Sequence, residues 1–195
     1  MIKDLVKRNR SCRRFYGDKE ISKEQLRELI ELARLSPSTG NIQPIKYVLV
    51  NNQEINEKVF ETLGWAGYLK DWEGPIKSER PTAYIVMVRD KSLMKSLNFD
   101  DGICAQSIYI GAAEMGLGGC MISNVKRDEL KKVLSITDEF DISLVIALGY
   151  PKENIILEKI GEDGSFKYWR DEEGNHHVPK RSLDNLILEE ISSEN

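Results

Sequence analysis

Cysteine is scarce. The three in 195 residues, Cys12, Cys104 and Cys120, stand far apart and form no C-x-x-C pair, which excludes a disulfide-stapled scaffold and a C-x-x-C redox or zinc motif. Reduced thiols are expected. No apolar run approaches the roughly 20 residues needed to cross a bilayer. No G-x-G-x-x-G stretch supplies the usual dinucleotide-binding turn. Repeats and low-complexity linkers are absent too, so residues 1–195 are expected to form a single domain. The opening MIKDLVKRNRS carries charges where an export signal needs an apolar stretch, and a cytoplasmic location is the expectation. Positive charge is not in excess: 28 Lys plus Arg stand against 32 Asp plus Glu, a net charge of −4, with no aromatic-rich motif for reading nucleic acid.

What is present is a globular composition, 41% hydrophobic and 31% charged, patterned into helices and strands. Ser22 followed by Gln25 has the form of a capping box, and Leu26, Leu29, Ile30 and Ala33 recur at helical spacing, predicting a helix over 23–35. Ile45–Val50 and Ala83–Val88 are short β-branched or aromatic runs, and DGICAQSIYIGAAEMG from Asp101 reads as a buried central helix. Gly118–Ile122 and Ile142–Leu148 are expected strands on either side of an amphipathic helix Arg127–Leu134. Phe166–Trp169 and His177–Val178 flank the turn-like Glu173-Gly174-Asn175 as a hairpin, before a last short helix carrying Leu183, Leu186 and Ile187. The order points to an α+β class, a mixed β-sheet with helices on both faces.

Two segments carry the chemistry. Arg8, Arg10, Ser11, Arg13 and Arg14 pack five hydrogen-bond donors into seven residues, and guanidinium forks match phosphate oxygens bidentately. A solvated basic face with Lys3 and Lys7 is the plainer use of the same charges. At Ser36-Pro37-Ser38-Thr39-Gly40-Asn41-Ile42-Gln43-Pro44, a loop crowded with hydroxyl and amide groups could read a polar ring edge, or simply end a helix.

Together, N-R-S-C-R at 9–13 and P-S-T-G-N-I-Q-P at 37–44 resemble the R-R-S-x-R run and P-S-x-x-N-x-Q-P loop of the nitroreductase family of flavin enzymes. The resemblance continues in order through Gly116–Ile122, the Leu148-Gly149-Tyr150-Pro151 strand end and Pro179-Lys180-Arg181. It implies an intertwined FMN homodimer with each flavin at the subunit interface, passing a hydride from NAD(P)H to a small aromatic or quinone-like acceptor. It further implies that Asn9, Arg10, Ser11, Cys12 and Arg13, with Lys180 and Arg181, hold the FMN phosphate and ribityl chain. Pro37, Ser38, Thr39 and Asn41 would reach the flavin of the other subunit, and Met121, Ile122 and Ser123 would lie at the ring edge. Two positions depart from the family pattern. Asn9 replaces a common first arginine, so that contact is either weaker there or supplied by Arg8 or Arg14, and Ile45 follows Gln43-Pro44 where an aromatic is common. The resemblance requires no catalytic acid or base, and leaves the choice of NADH or NADPH open.

The stretch GWAGYLKDWEGPIKSER at 64–80 interleaves Trp65, Tyr68 and Trp72 with charges, and is expected to lie over or beside the flavin. Two alternatives stand beside the reductase reading. One is a flavin carrier or flavin-modifying protein without NAD(P)H turnover. The other is a thiol enzyme built on Cys12, whose cationic neighbours would lower its pKa. His176 and His177 are adjacent, so on a strand they point to opposite faces and do not form a metal site.

Overall fold

The computed structural model describes residues 1–94 and 99–192. In chain order the elements are α1 (Ile2–Arg8), α2 (Lys23–Arg34), β1 (Ile45–Val50), α3 (Gln53–Phe60), β2 (Ala83–Asp90), α4 (Asp100–Glu114), β3 (Gly118–Ile122), α5 (Arg127–Leu134), β4 (Phe140–Gly149), β5 (Ile155–Lys159), β6 (Trp169–Arg170) and β7 (His176–Lys180). The capping box at α2 is complete: Gln25 N–H donates to Ser22 Oγ at 3.1 Å, and Ser22 N–H donates to Gln25 Oε1 at 2.9 Å. β1, β3 and α5 take the expected bounds, while β2 runs two residues further at its end and β4 two residues further at its start and one at its end. α1, α3 and β5 have no counterpart in the sequence reading. The expected C-terminal helix is corrected to a single turn, in which Leu186 and Ile187 N–H groups donate to Leu183 O. Leu183, Leu186 and Leu188 are exposed, so no apolar face is buried to hold a longer helix.

The principal sheet has the order β1-β2-β4-β3 with every neighbour antiparallel. Parallel pairing enters at its edge, where Ser11 bridges Gly119, and in a second sheet ordered β5-β7-β6, in which β5 and β7 are parallel. Strand alternation sends Ala83, Ile85 and Met87 to one face, under α2 and α4, and Tyr84, Val86 and Val88 to the other, under α3 and α5. The sheet is buried on both faces, as its continuous apolar strands require. At the α2–α4 crossing, Gly111 leaves room for Leu32 and Leu29, which a Cβ there would strike.

The stretch from Asn9 to Tyr16 is held on this frame by backbone bonds: Cys12 N–H to Gly119 O at 2.6 Å, Phe15 N–H to Glu79 O at 3.0 Å and Tyr16 N–H to Tyr150 O at 2.9 Å. Buried Glu79 adds a side-chain clamp, accepting from Arg14 Nε at 2.6 Å and Nη2 at 2.9 Å, and from Lys152 Nζ at 3.0 Å. The Arg14 hydrogen bonds, with Lys152 behind them, hold the Glu79 carboxyl down at about 2. A carboxyl depressed in the folded state stabilises the protein above its unfolded pKa, and that contribution fades as pH falls toward the folded value. Glu79→Gln is therefore expected to lower stability at pH 7 by about 1.5 kcal/mol, the low end for charged hydrogen bonds because Arg14 is a third exposed. Urea titrations should show the gap between wild type and variant closing between pH 4.5 and about 2. A gap independent of pH would contradict the clamp.

Candidate functional site

Beyond α1 the chain runs extended beside β3, so successive side chains point to opposite sides. Ser11 and Arg13 face a cavity of about 270 Å³ that Arg10 also borders, while Cys12 faces away from it. Gln106 and Tyr109 of α4 and Met121 of β3 form one wall, and Tyr168, His176 and Lys180, from the second sheet and its approach, form the opposite one. Gly119 lets the strand pass close to Tyr109, whose hydroxyl donates to Gly119 O.

Arg13 is the centre of this arrangement. Its guanidinium is buried, lies 4.6 Å from the Tyr168 ring centroid, and donates through Nη1 to Ser11 O at 3.3 Å. Nη1 also stands 3.1 Å from His176 Nε2. Arginine has no acceptor, so His176 Nε2 accepts there and the imidazole proton belongs on Nδ1. Burial, with the charges of Arg13 and Arg170, outweighs the opposing charge of Glu153 and pushes His176 down to about 4, leaving it neutral at pH 7. Behind Arg13 lies Glu153, whose carboxylate accepts from Arg13 backbone N–H at 2.8 Å and from Arg170 Nε and Nη2 at 3.1 and 2.5 Å. This buried carboxylate ties the Asn9–Tyr16 stretch to β6.

Three buried polar atoms at this end of the molecule have no hydrogen-bond partner among the described residues: Asn9 Nδ2, Arg10 Nε and His176 Nδ1. All three belong to residues bordering the cavity, and all three are donors. With Arg10, Arg13 and Lys180 supplying positive charge, the unfilled demand is for an acceptor-rich anion such as a phosphate ester.

The other expected residues are placed as follows. Arg14 is committed to Glu79, and Arg8 borders a different cavity, so neither lines the cavity that Asn9 borders. Met121 faces the cavity, whereas alternation turns Ile122 into the core under α3 and α5. Ser123 is exposed beyond the strand end, its carbonyl accepting from Arg127 Nη2 at 3.3 Å, and Arg181 is exposed beyond Lys180. Cys12 is 2% exposed; burial and then the charge of Glu153 push its thiol up to about 12, since the neighbouring guanidinium groups turn to His176 and Glu79 instead. Cys12 is thus a small buried cysteine, and the thiolate that a Cys12 thiol enzyme would need is disfavoured.

The Pro37–Asn41 loop lies at the other end of α4. Ser38 Oγ donates to Asp100 Oδ2 at 2.5 Å, and Thr39 donates to Asp100 Oδ1 through N–H at 2.9 Å and Oγ1 at 2.7 Å. Asn41 and Gln43, both non-glycine, hold φ near 56° and 54°, a left-handed strain that is maintained where a loop shape matters. Asp100 and Tyr109 are nine residue steps apart along α4, about 13.5 Å. Within one chain the loop therefore borders a separate cavity. The 64–80 segment meets the cationic cavity through Tyr68, whose ring is 4.9 Å from Tyr168 and whose N–H donates to the Tyr168 hydroxyl at 3.4 Å. Trp65 instead stacks on Phe60 at 5.5 Å, and Trp72 lies under the Arg170 guanidinium at 4.3 Å. His177 points away from His176, bridging Glu158 at 2.9 Å and Asp171 at 3.2 Å.

Gln106, Tyr109, Glu153, Tyr168 and His176 are the site residues that sequence reasoning missed. Gln106 and Tyr109, one helical turn apart, offered a signal in their shared face; Tyr168 and His176 flank the expected hairpin, but its docking through β5, and the place of Glu153, have no local signal.

Residues 6–150 match the Nitroreductase family model. An NADH dehydrogenase/NAD(P)H nitroreductase of Methanothermobacter thermautotrophicus is 30% identical over 160 residues, spanning 78% of this chain and 78% of that protein. The oxygen-insensitive NADPH nitroreductase of Helicobacter acinonychis is 26% identical over 182 residues, spanning 75% and 86%. An FMN-dependent nitroreductase from Clostridium difficile has the same fold, with a TM-score of 0.63 at 23% identity over 77% of this chain and 87% of that one. The wall formed by Tyr168, His176 and Lys180 lies outside the matched residues.

Proposed function

Since the chain belongs to the nitroreductase family, we propose that it is a cytoplasmic homodimer whose whole length, 1–195, serves as one FMN-binding domain. It passes a hydride from NAD(P)H to a small planar acceptor. The observation that carries this reading is the cationic cavity with three unpartnered buried donors, Asn9 Nδ2, Arg10 Nε and His176 Nδ1. FMN, when bound, supplies reversible hydride acceptance and release.

The chain's own residues bind and orient. Arg10, Arg13 and Lys180 hold the phosphate and Ser11 adds a neutral donor, while Met121 abuts the ring from β3. Pro37, Ser38, Thr39 and Asn41 belong, in this reading, to the flavin site of a second copy, because α4 separates them from their own chain's cavity. Exposed Leu183, Leu186, Leu188 and Ile191 give the tail an apolar surface suited to covering by that copy. Tyr68 and Tyr168 offer stacking area for a planar acceptor, and no side chain is needed as acid or base.

Steady-state kinetics of the FMN-loaded protein with NAD(P)H and a quinone or nitroaromatic acceptor should give the parallel double-reciprocal lines of alternating occupancy of one site. Tyr68→Ala is expected to raise the acceptor KM by roughly 2- to 10-fold, the value of an aromatic contact, with flavin content unchanged. Unchanged acceptor kinetics would remove Tyr68 from the acceptor site.

A further inference from the structure

A second cavity, of about 340 Å³, lies between α3, the start of β2 and the residues after Tyr16, and shares no lining residue with the cationic one. That size suits a small molecule. Three buried polar atoms of its lining residues have no partner among the described residues: Tyr84 Oη, Asn56 Oδ1 and Arg80 Nε. Tyr84 is fully buried, its neighbours in the core including Val59, Val86 and Val145. Phenylalanine would occupy the same space, so the hydroxyl is a polar group that burial penalises until something bonds to it.

The hydrogen bonds already made define what remains on offer. Asn56, 9% exposed, donates through Nδ2 to Thr82 O at 2.7 Å, which fixes the amide and leaves Oδ1 as an acceptor. Arg80 spends Nη1 on Glu57 and packs its guanidinium 3.8 Å from the Phe60 ring centroid, leaving Nε–H as a donor. Tyr84 contributes an O–H. Charge narrows the choice further. Arg80 and Lys77 both face Glu57, while Asp18 and Glu20 add two carboxylates to the wall, so an anion would meet repulsion there.

We propose that this cavity binds a small neutral molecule carrying an amide or lactam edge, its carbonyl accepting from Tyr84 and Arg80 and its adjacent N–H donating to Asn56. The test uses uracil, a neutral lactam, as the probe in isothermal titration calorimetry of the purified full-length protein. Wild type is expected to bind one equivalent. Tyr84→Phe should weaken binding about tenfold while the unliganded thermal midpoint holds or rises, because an unpaired hydroxyl has been removed. Arg80→Lys, which keeps the charge facing Glu57 but lacks Nε, should weaken binding similarly and serves as the second arm if Tyr84→Phe does not fold. No saturable binding by wild type, or equal affinity in both variants as for uracil held at the cationic cavity, would overturn the proposal.

Discussion

Arg13→Gln is expected to yield a folded protein that releases its flavin on dilution, with FMN affinity lowered roughly 10- to 100-fold. That range is one charge-assisted hydrogen bond to a phosphate at about 1.5–3 kcal/mol, with tenfold in affinity for every 1.4 kcal/mol. The backbone N–H of Arg13, which anchors to Glu153, is untouched by the change, so the fold should persist. Arg14→Gln is the matched control. Arg14 is one residue away and equally basic, yet its guanidinium lies on Glu79, so this variant should lose stability and keep FMN affinity within about threefold. Titration of each apoprotein with FMN, followed by quenching of flavin fluorescence, checks both. Equal losses of affinity would mean that the cluster acts as diffuse charge rather than through the geometry around Arg13.

The second large effect is on folding. Glu153 is buried with its carboxylate shared between Arg13 N–H and the Arg170 guanidinium. Glu153→Leu strands the half-buried Arg170 guanidinium and a buried backbone donor, and is expected to lower stability by about 3 kcal/mol or more, the low end for breaking one side of a buried pair. At this chain length that is a fall of roughly 6 °C or more in thermal midpoint. Adding Arg170→Met should restore part of the loss, since the stranded Arg170 charge is then removed, although the Arg13 N–H stays unpaired and the contact with Trp72 is forfeited. Circular dichroism melts of the single and double variants decide the matter. A double variant as unstable as Glu153→Leu alone would show that packing, and not the buried charge, dominates at this position.

The frame was legible where one signal sufficed. Ser22 and Gln25 announce α2 because a capping box is local, and Ile45–Val50 and Gly118–Ile122 announce strands because their runs are short, apolar and bounded by turn residues. Asp100–Glu114 reads as buried because it is apolar around its whole circumference. The Leu183–Ile187 helix failed for the complementary reason: its apolar spacing has nothing to pack on within its own chain, and spacing without burial does not hold a helix.

At the site, the basic cluster and the Ser38–Thr39 loop were visible, but their orientation was not. Local density of charge made Cys12 look like an activated thiol, whereas alternation beside β3 sends residues 11 and 13 to the cavity and residue 12 into the interior, where burial raises the thiol to about 12. Tyr168 and His176 join the site only because β7 pairs with β5, about twenty residues away and parallel, and with β6 across a turn. The β6–β7 hairpin was legible from its turn and flanking runs, but the parallel β5–β7 pair, separated by a long connection, has no local signature.

If the cationic cavity seats an FMN that exchanges hydride with NAD(P)H, the visible spectrum of the FMN-loaded protein will report it during anaerobic addition of NADH and then NADPH. The expected result is a protein-bound flavin band that bleaches stoichiometrically with at least one of the two, and returns when a quinone is added. A bound flavin band that persists through both additions would contradict the NAD(P)H-linked reading in favour of a carrier, and a protein that retains no FMN at all would contradict the cofactor itself.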